Sequence, residues 1–179
     1  DAKTRWNAPM LQFKDGINKM IELVTGSDIV QEIAKYLDRD MDEYLALFPK
    51  DWGNEIRGIA ATLDADVGDV FLVNIAYEIE GYCTSIVAQD EIGHLYHGRN
   101  LDFGAWPAWN WTTDQWELTD ALRDILFNVN FTKNGELLYR STVFGGYIGL
   151  LTGVKKGAMS ISVDTRWDKN HDKYLMEYL

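Results

Sequence analysis

The sequence predicts an α+β fold, in which a helical N-terminal segment feeds a mainly antiparallel sheet. Three observations carry this. Apolar residues recur at helical spacing from Met10 to Val24. Short β-branched runs begin immediately after Cys83. Asn134-Gly135 sits between two apolar runs, the signature of a tight hairpin.

The helices come first. Met10, Phe13, Ile17, Met20, Ile21 and Val24 share one helix face. Such a face suits a core helix or one lying on a vesicle surface; the core helix is the commoner use. Gly26-Ser27-Asp28 ends that helix and caps a second, from Ile29 to Leu37. Residues from Asp38 to Phe48 continue it or form a third, closed by Pro49. Glu55 to Leu63 and Val67 to Glu80 read as two more, the latter capped by Asp66.

The strands follow. Thr84-Ser85-Ile86-Val87-Ala88 reads as a buried strand, Asp90-Glu91-Ile92-Gly93 as a turn and His94 to Arg99 as a returning strand. Leu101 to Trp116 is rich in Trp and aperiodic, hence a loop, and Leu118 to Leu126 is a short helix. Phe127–Phe131, Leu137–Thr142, Tyr147–Thr152 and Met159–Val163 complete the sheet. Residues 1–82 are thus a helical unit and 83–179 a sheet unit. Apolar sheet faces need a covering layer. Few helices follow Cys83 to supply one, so the chain is expected to stop before its fold is complete.

Charge narrows the partners. Asp and Glu number 28 against 17 Lys and Arg, a net charge of -11. Phosphate backbones require clustered cations, so nucleic acid is not expected. An acidic compartment suits such a chain, because protonation relieves self-repulsion. A single cysteine permits no intrachain disulfide. No apolar run reaches the roughly 18 residues of a membrane span. The start at Asp1 fits a processed or trimmed terminus. Two glycosylation sequons, at Asn110 and Asn130, favour a secretory or lysosomal route.

Cys83 is the chemical focus. A lone cysteine is most often a small buried hydrophobe. Here it opens a strand, and Arg99 and Asp102 return beside it. If residues 90–93 form the turn, Gln89 faces His94 and Cys83 faces Asn100. Arg99 and Asp102 then lie within two positions of the thiol, while a one-residue shift of register changes which of them shares its face. Thiolates attack carbonyls, a neighbouring guanidinium favours the thiolate, and a carboxylate can orient the guanidinium. A structural ion pair explains Arg99 and Asp102 equally well on the residues alone. His94 and His97 alternate faces on a strand, which makes a poor metal site. No metal or cofactor is expected, and His171 reads as solvated. Trp106, Trp109, Trp111 and Trp116 suit an acyl-chain channel, a membrane-meeting loop or a satellite core, the last being the blandest.

A resemblance adds to this. The stretch Cys83-Thr84-Ser85-Ile86-Val87-Ala88-Gln89-Asp90, with Gly93-His94 and His97-Gly98-Arg99-Asn100-Leu101-Asp102-Phe103, resembles the β-subunit start of the acid ceramidase and N-acylethanolamine acid amidase family. Glu55-Ile56-Arg57-Gly58 and Leu72 to Glu78 resemble the end of its α-subunit, and Phe144 to Gly153 a later segment. The likeness spans Glu55 to Trp167 and fades towards the N-terminus. The resemblance implies an N-terminal nucleophile hydrolase with an αββα sandwich, here incomplete and preceded by a helical α-subunit segment. It implies autocleavage between Tyr82 and Cys83, after which the two pieces stay associated and the freed α-amine serves as base for its own thiol. Arg99 and Asp102 help to position and activate Cys83 by the same carry-over.

The implied substrate is a lipid amide, with transient contact to a membrane or vesicle surface and a lysosomal or secreted location. Gln89-Asp90 and Leu72 to Glu78 are closer to the ethanolamide enzyme, whereas the Trp-rich stretch after Asp102 favours ceramidase. Phe103, Tyr147, Asp164 and Thr165 are weaker substrate-side candidates. The family carries a Glu in the segment matching Asp164-Thr165-Arg166; Thr165 stands in its place, or Asp164 substitutes if the alignment slips by one. Later Asn and Arg positions of the family fall beyond Leu179. A catalytically silent lipid-binding homologue is therefore the alternative, and a bile-salt or penicillin-type acylase lacks the upstream match.

Overall fold

The computed structural model describes residues 1–35, 40–103 and 109–164. The amphipathic stretch after Asn7 folds as two helices, α1 (Asn7–Gln12) and α2 (Lys14–Thr25), with a break at Phe13 that periodicity alone does not show. Met10, Ile17, Met20, Ile21 and Val24 are all buried, so this is a core face. Ser27 caps α3 (Asp28–Ala34) by accepting from the Val30 amide, as the sequence predicts. Asp40 caps the short α4 (Met41–Ala46). Pro49 does not merely close this segment. It is the N-cap of α5 (Lys50–Leu63), whose first turn precedes the expected start at Glu55.

Helix α6 (Val67–Glu80) has its predicted bounds. It is apolar on most sides, which fits a central helix. Val70, Phe71, Leu72, Val73, Ile75 and Ala76 are buried. Its N-terminus is held by the Asp66 carboxylate, which accepts from the Gly68 amide at 2.7 Å.

Two antiparallel sheets follow. The hairpin β1 (Gly81–Gln89) with β2 (Leu95–Phe103) forms one; β3 (Leu126–Lys133), β4 (Glu136–Phe144), β5 (Thr152–Lys155) and β6 (Met159–Ser162) form a meander in sequence order. Asn134 (φ 54) and Gly135 (φ 83) make the β3–β4 turn, as their sequence signature requires. Helix α7 (Glu117–Asp124) lies between the sheets in sequence and packs on α2, where Gly16 abuts Ile125.

Apolar strand residues do remain uncovered, with Ile86, Val87, Leu95, Val154 and Met159 exposed, but β3 and β4 have a covering layer. The N-terminal helices supply that layer for β3 and β4. Phe13 stacks on Phe127 with ring centroids 5.3 Å apart, and Trp6 meets Phe131 edge-on at 6.2 Å. Val143, Phe144, Ile148 and Leu151 join the same core as Ile17, Phe71 and Ile125. Trp6 also donates its indole N–H to the buried Glu55, which pairs with Arg5 at 3.2 Å. Burial, and then the Glu55 charge, push the Tyr139 hydroxyl above its ordinary value.

Two strand expectations change. Residues 147–151 are not strand: Gly146 (φ 89) and Gly149 (φ 132) bend the chain into a loop, and β5 begins only at Thr152. The buried Asn74 of α6 pins that loop. It donates to the Gly146 carbonyl at 2.8 Å and accepts from the Ile148 amide at 2.7 Å. The second change concerns β1, which is not a buried strand: Ile86 and Val87 are 64% and 69% exposed.

Candidate functional site

Helix α6 runs directly into β1, so Cys83 is the third residue of the strand rather than its first. The hairpin that returns to it is set by a short loop. Asp90 pairs with His94, its amide donating to the His94 carbonyl at 3.0 Å, leaving Glu91-Ile92-Gly93 as the loop. Gly93 (φ 89) takes the left-handed position such a loop requires. The Asp90 carboxylate accepts from the amides of Ile92 and His94 and from the Tyr96 hydroxyl. Some desolvation pushes this carboxyl upward; those donors outweigh it and hold the carboxyl below its ordinary value.

That three-residue loop moves the register by one from the sequence expectation. Gln89 pairs with Leu95 instead of His94, and Cys83 with Leu101 instead of Asn100. Parity then decides the site. Cys83, Ser85, His97, Arg99 and Leu101 share one face; Tyr82, Thr84, Asn100 and Asp102 share the other. Asp102 is therefore not on the thiol's face. It pairs with Tyr82 across the ladder and accepts from the Asn100 side chain at 2.5 Å.

Arg99 does reach the thiol. Its Nη2 lies 3.1 Å from Cys83 Sγ and donates to the Val163 carbonyl at 2.9 Å. Its Nε stands 3.9 Å from the Asp164 carboxylate, and its side chain is only 8% exposed. Asp164 thus takes the guanidinium-facing place expected of Asp102. Cys83 itself is half-buried and packs against the edge of the core.

The same face meets β6. His97 Nδ1 is 2.7 Å from Ser160 Oγ, and His97 Nε2 is 3.4 Å from Ser162 Oγ. Ser162 also hydrogen-bonds with Ser85 and donates to Asp164 at 3.5 Å. The hairpin pattern around His97 does not reveal these partners. The signal was available in Ser160-x-Ser162, whose spacing puts both hydroxyls on one face of a strand.

The remaining candidates are dispersed. Tyr147, in the loop after β4, packs against Phe144 with the rings tilted and their centroids 5.1 Å apart. Phe103 ends β2, its backbone paired with Gly81. Thr165, Trp106 and His171 lie outside the described residues. Trp109 packs edge-on against Trp111 and Trp116 at 6.3 and 5.1 Å. Trp111 is 90% exposed, so these rings form a surface cluster and not a satellite core. Asn130 is exposed on β3, whereas Asn110 donates its side-chain N–H to Glu117 at 2.8 Å. Among the described residues no group of His, Cys, Asp and Glu is arranged to hold a metal ion. No helix among them is long and apolar enough to cross a membrane.

Fold and site together define an α+β protein whose lone thiol is engaged by a buried guanidinium on an antiparallel hairpin. No family model matches the chain. Acid ceramidases do: the bovine protein is 36% identical over 167 residues, covering 91% of this chain and 42% of its own length. The chimpanzee protein is 38% identical over 164 residues (91% and 41%), and the human protein 35% identical over 170 residues (93% and 43%). Over about nine tenths of its length the chain is thus similar to acid ceramidases. It spans about two fifths of the length of the curated relatives it matches.

Proposed function

We propose that this chain carries the nucleophile of a ceramide-cleaving amidase, with Cys83 attacking the amide carbonyl and Arg99 holding the sulfur. The observation that carries the reading is the Arg99–Cys83 contact at 3.1 Å, in a chain whose relatives are named acid ceramidase. The thiol adds to the carbonyl, the amine half leaves, and water hydrolyses the thioester to a free fatty acid. N-acylethanolamines, which share the acyl chain and the amide, are the second substrate class under this reading.

The same thiol first acts on its own chain. Cys83 attacks the Tyr82 carbonyl, the peptide becomes a thioester, and water releases Tyr82 as a carboxylate and Cys83 with a free α-amine. That amine then serves as base for the thiol. The αββα sandwich of N-terminal nucleophile hydrolases is the proposed frame, and a lysosomal glycoprotein bearing sugar at the exposed Asn130 is the proposed form. The acidic composition accords with that compartment.

Intact mass under denaturing conditions, after incubation at mildly acidic pH, tests this. Two fragments meeting at Tyr82/Cys83, absent from Cys83→Ala, are expected. A single unchanged mass, with no ceramide turnover, overturns the reading and leaves a silent lipid-binding homologue.

A further inference from the structure

The geometry points to His97 as a positioning residue that acts on Cys83 through Arg99. This deepens the amidase reading and rests on it. Arg99 can touch Cys83 Sγ and the Val163 carbonyl at once only while the hairpin keeps a fixed distance from the chain that follows β6. Polar contacts to β6 help to set this distance. His97 lies two residues before Arg99, on the same face, and its two ring nitrogens engage Ser160 and Ser162 of β6. Ser85, two residues after Cys83 and opposite Arg99, engages Ser162 as well.

The spacing explains why a histidine serves. Residues two apart on a strand stand roughly 6.5–7 Å apart on one face. An imidazole is long enough to reach towards both hydroxyls, and its two nitrogens are held on opposite sides of a rigid ring. With both occupied, the ring cannot turn without losing a bond. One edge of the hairpin's polar face is thereby clasped to β6 before Arg99 extends to Val163. The other face of the hairpin bears the exposed Ile86 and Tyr96. Loss of the clasp lets the hairpin swing from β6, and Nη2 of Arg99 then cannot touch the sulfur and the carbonyl together.

The rate at which iodoacetamide alkylates Cys83 in the full chain, near neutral pH, measures this. His97→Ala is expected to slow alkylation about fivefold, in keeping with the loss of a hydrogen bond from a charged donor. His97→Gln, whose amide both donates and accepts, is expected to restore most of the rate. In an Arg99→Gln background, His97→Ala should change the rate less than about twofold, because coupled residues are not additive. Ser160→Ala with Ser162→Ala removes the clasp from the opposite strand and should reproduce both results, even if His97→Ala fails to fold. Equal slowing in both backgrounds, or slowing in neither, overturns the inference. Alkylation needs no self-cleavage and no lipid turnover. A chain that alkylates as expected yet never cleaves would sink the amidase reading alone.

Discussion

Arg99 and Cys83 lie diagonally across the hairpin, on one face, with the guanidinium 3.1 Å from the sulfur and the Val163 carbonyl bound by the same nitrogen. Both contacts come from one planar NH2 group, whose two N–H bonds point in fixed directions. Arg99→Lys keeps the charge but presents a single mobile ammonium. It is expected to slow Cys83 alkylation and any self-cleavage about tenfold, the worth of roughly one charge-assisted bond. Thermal unfolding of the same variant should barely move. A large loss of stability with unchanged thiol reactivity would show Arg99 to be structural instead.

Asn74 ties α6 to the loop after β4 through two hydrogen bonds, to the Gly146 carbonyl and from the Ile148 amide, and donates to the Val70 carbonyl of its own helix. Asn74→Ala leaves buried backbone groups without partners. A loss of about 2–4 kcal/mol is expected in urea unfolding. A loss below about half a kcal/mol would mean that water reaches the loop and replaces the side chain.

Asp90 makes the hairpin loop sensitive to strong acid. Its carboxyl is held below the ordinary value of 3.8, so the bound donors stabilise the loop above that value. This contribution is lost only as pH falls through the lowered folded value. The Ile92 and His94 amides should therefore stay protected from exchange at mildly acidic pH and open under stronger acid. A carboxyl titration of Asp90 by NMR checks the direction; a midpoint above 3.8 would contradict it.

Gly58 lies where α5 meets the N-terminal turn. A Cβ there would collide with the Lys3 carbonyl and its flanking backbone, which cannot give way as a side chain can. Gly58→Ala should destabilise the chain by about 1–3 kcal/mol, despite alanine's better helix propensity. Gly135→Ala offers a contrast. Its site has open space but φ 83, so any cost there is conformational.

The helices were legible because their signal is local. The bounds of α6 and the Ser27 cap need nothing beyond neighbouring residues. Register was not, because Asp90 closes the hairpin by pairing with His94, and a loop of three residues or of four fits the same Asp-Glu-Ile-Gly run. One residue of slip exchanged Asp102 for Arg99 on the thiol's face. The loop at 147–151 was misread for another reason: its apolar run looks like strand, but Asn74, far back in the chain, takes the bonds a ladder would need. Proximity of Arg99 to Cys83 survived these errors, since either register leaves them within two positions. The serines of β6 escaped because their partner is in another sheet.

The uninterrupted passage from α6 into β1 bears on how a severed chain would behave. A cut after Tyr82 leaves only Gly81 and Tyr82 of the strand on the N-terminal side. Phe13 on Phe127, Gly16 against Ile125 and the Asn74 bonds still cross from one piece to the other. Folding of the whole chain is unimolecular, whereas reassembly of two denatured pieces requires encounter. Once cleaved, the particle's endurance would depend on dilution and on the height of its unfolding barrier. Denaturation that the uncut chain reverses would then become, at low concentration, a one-way event.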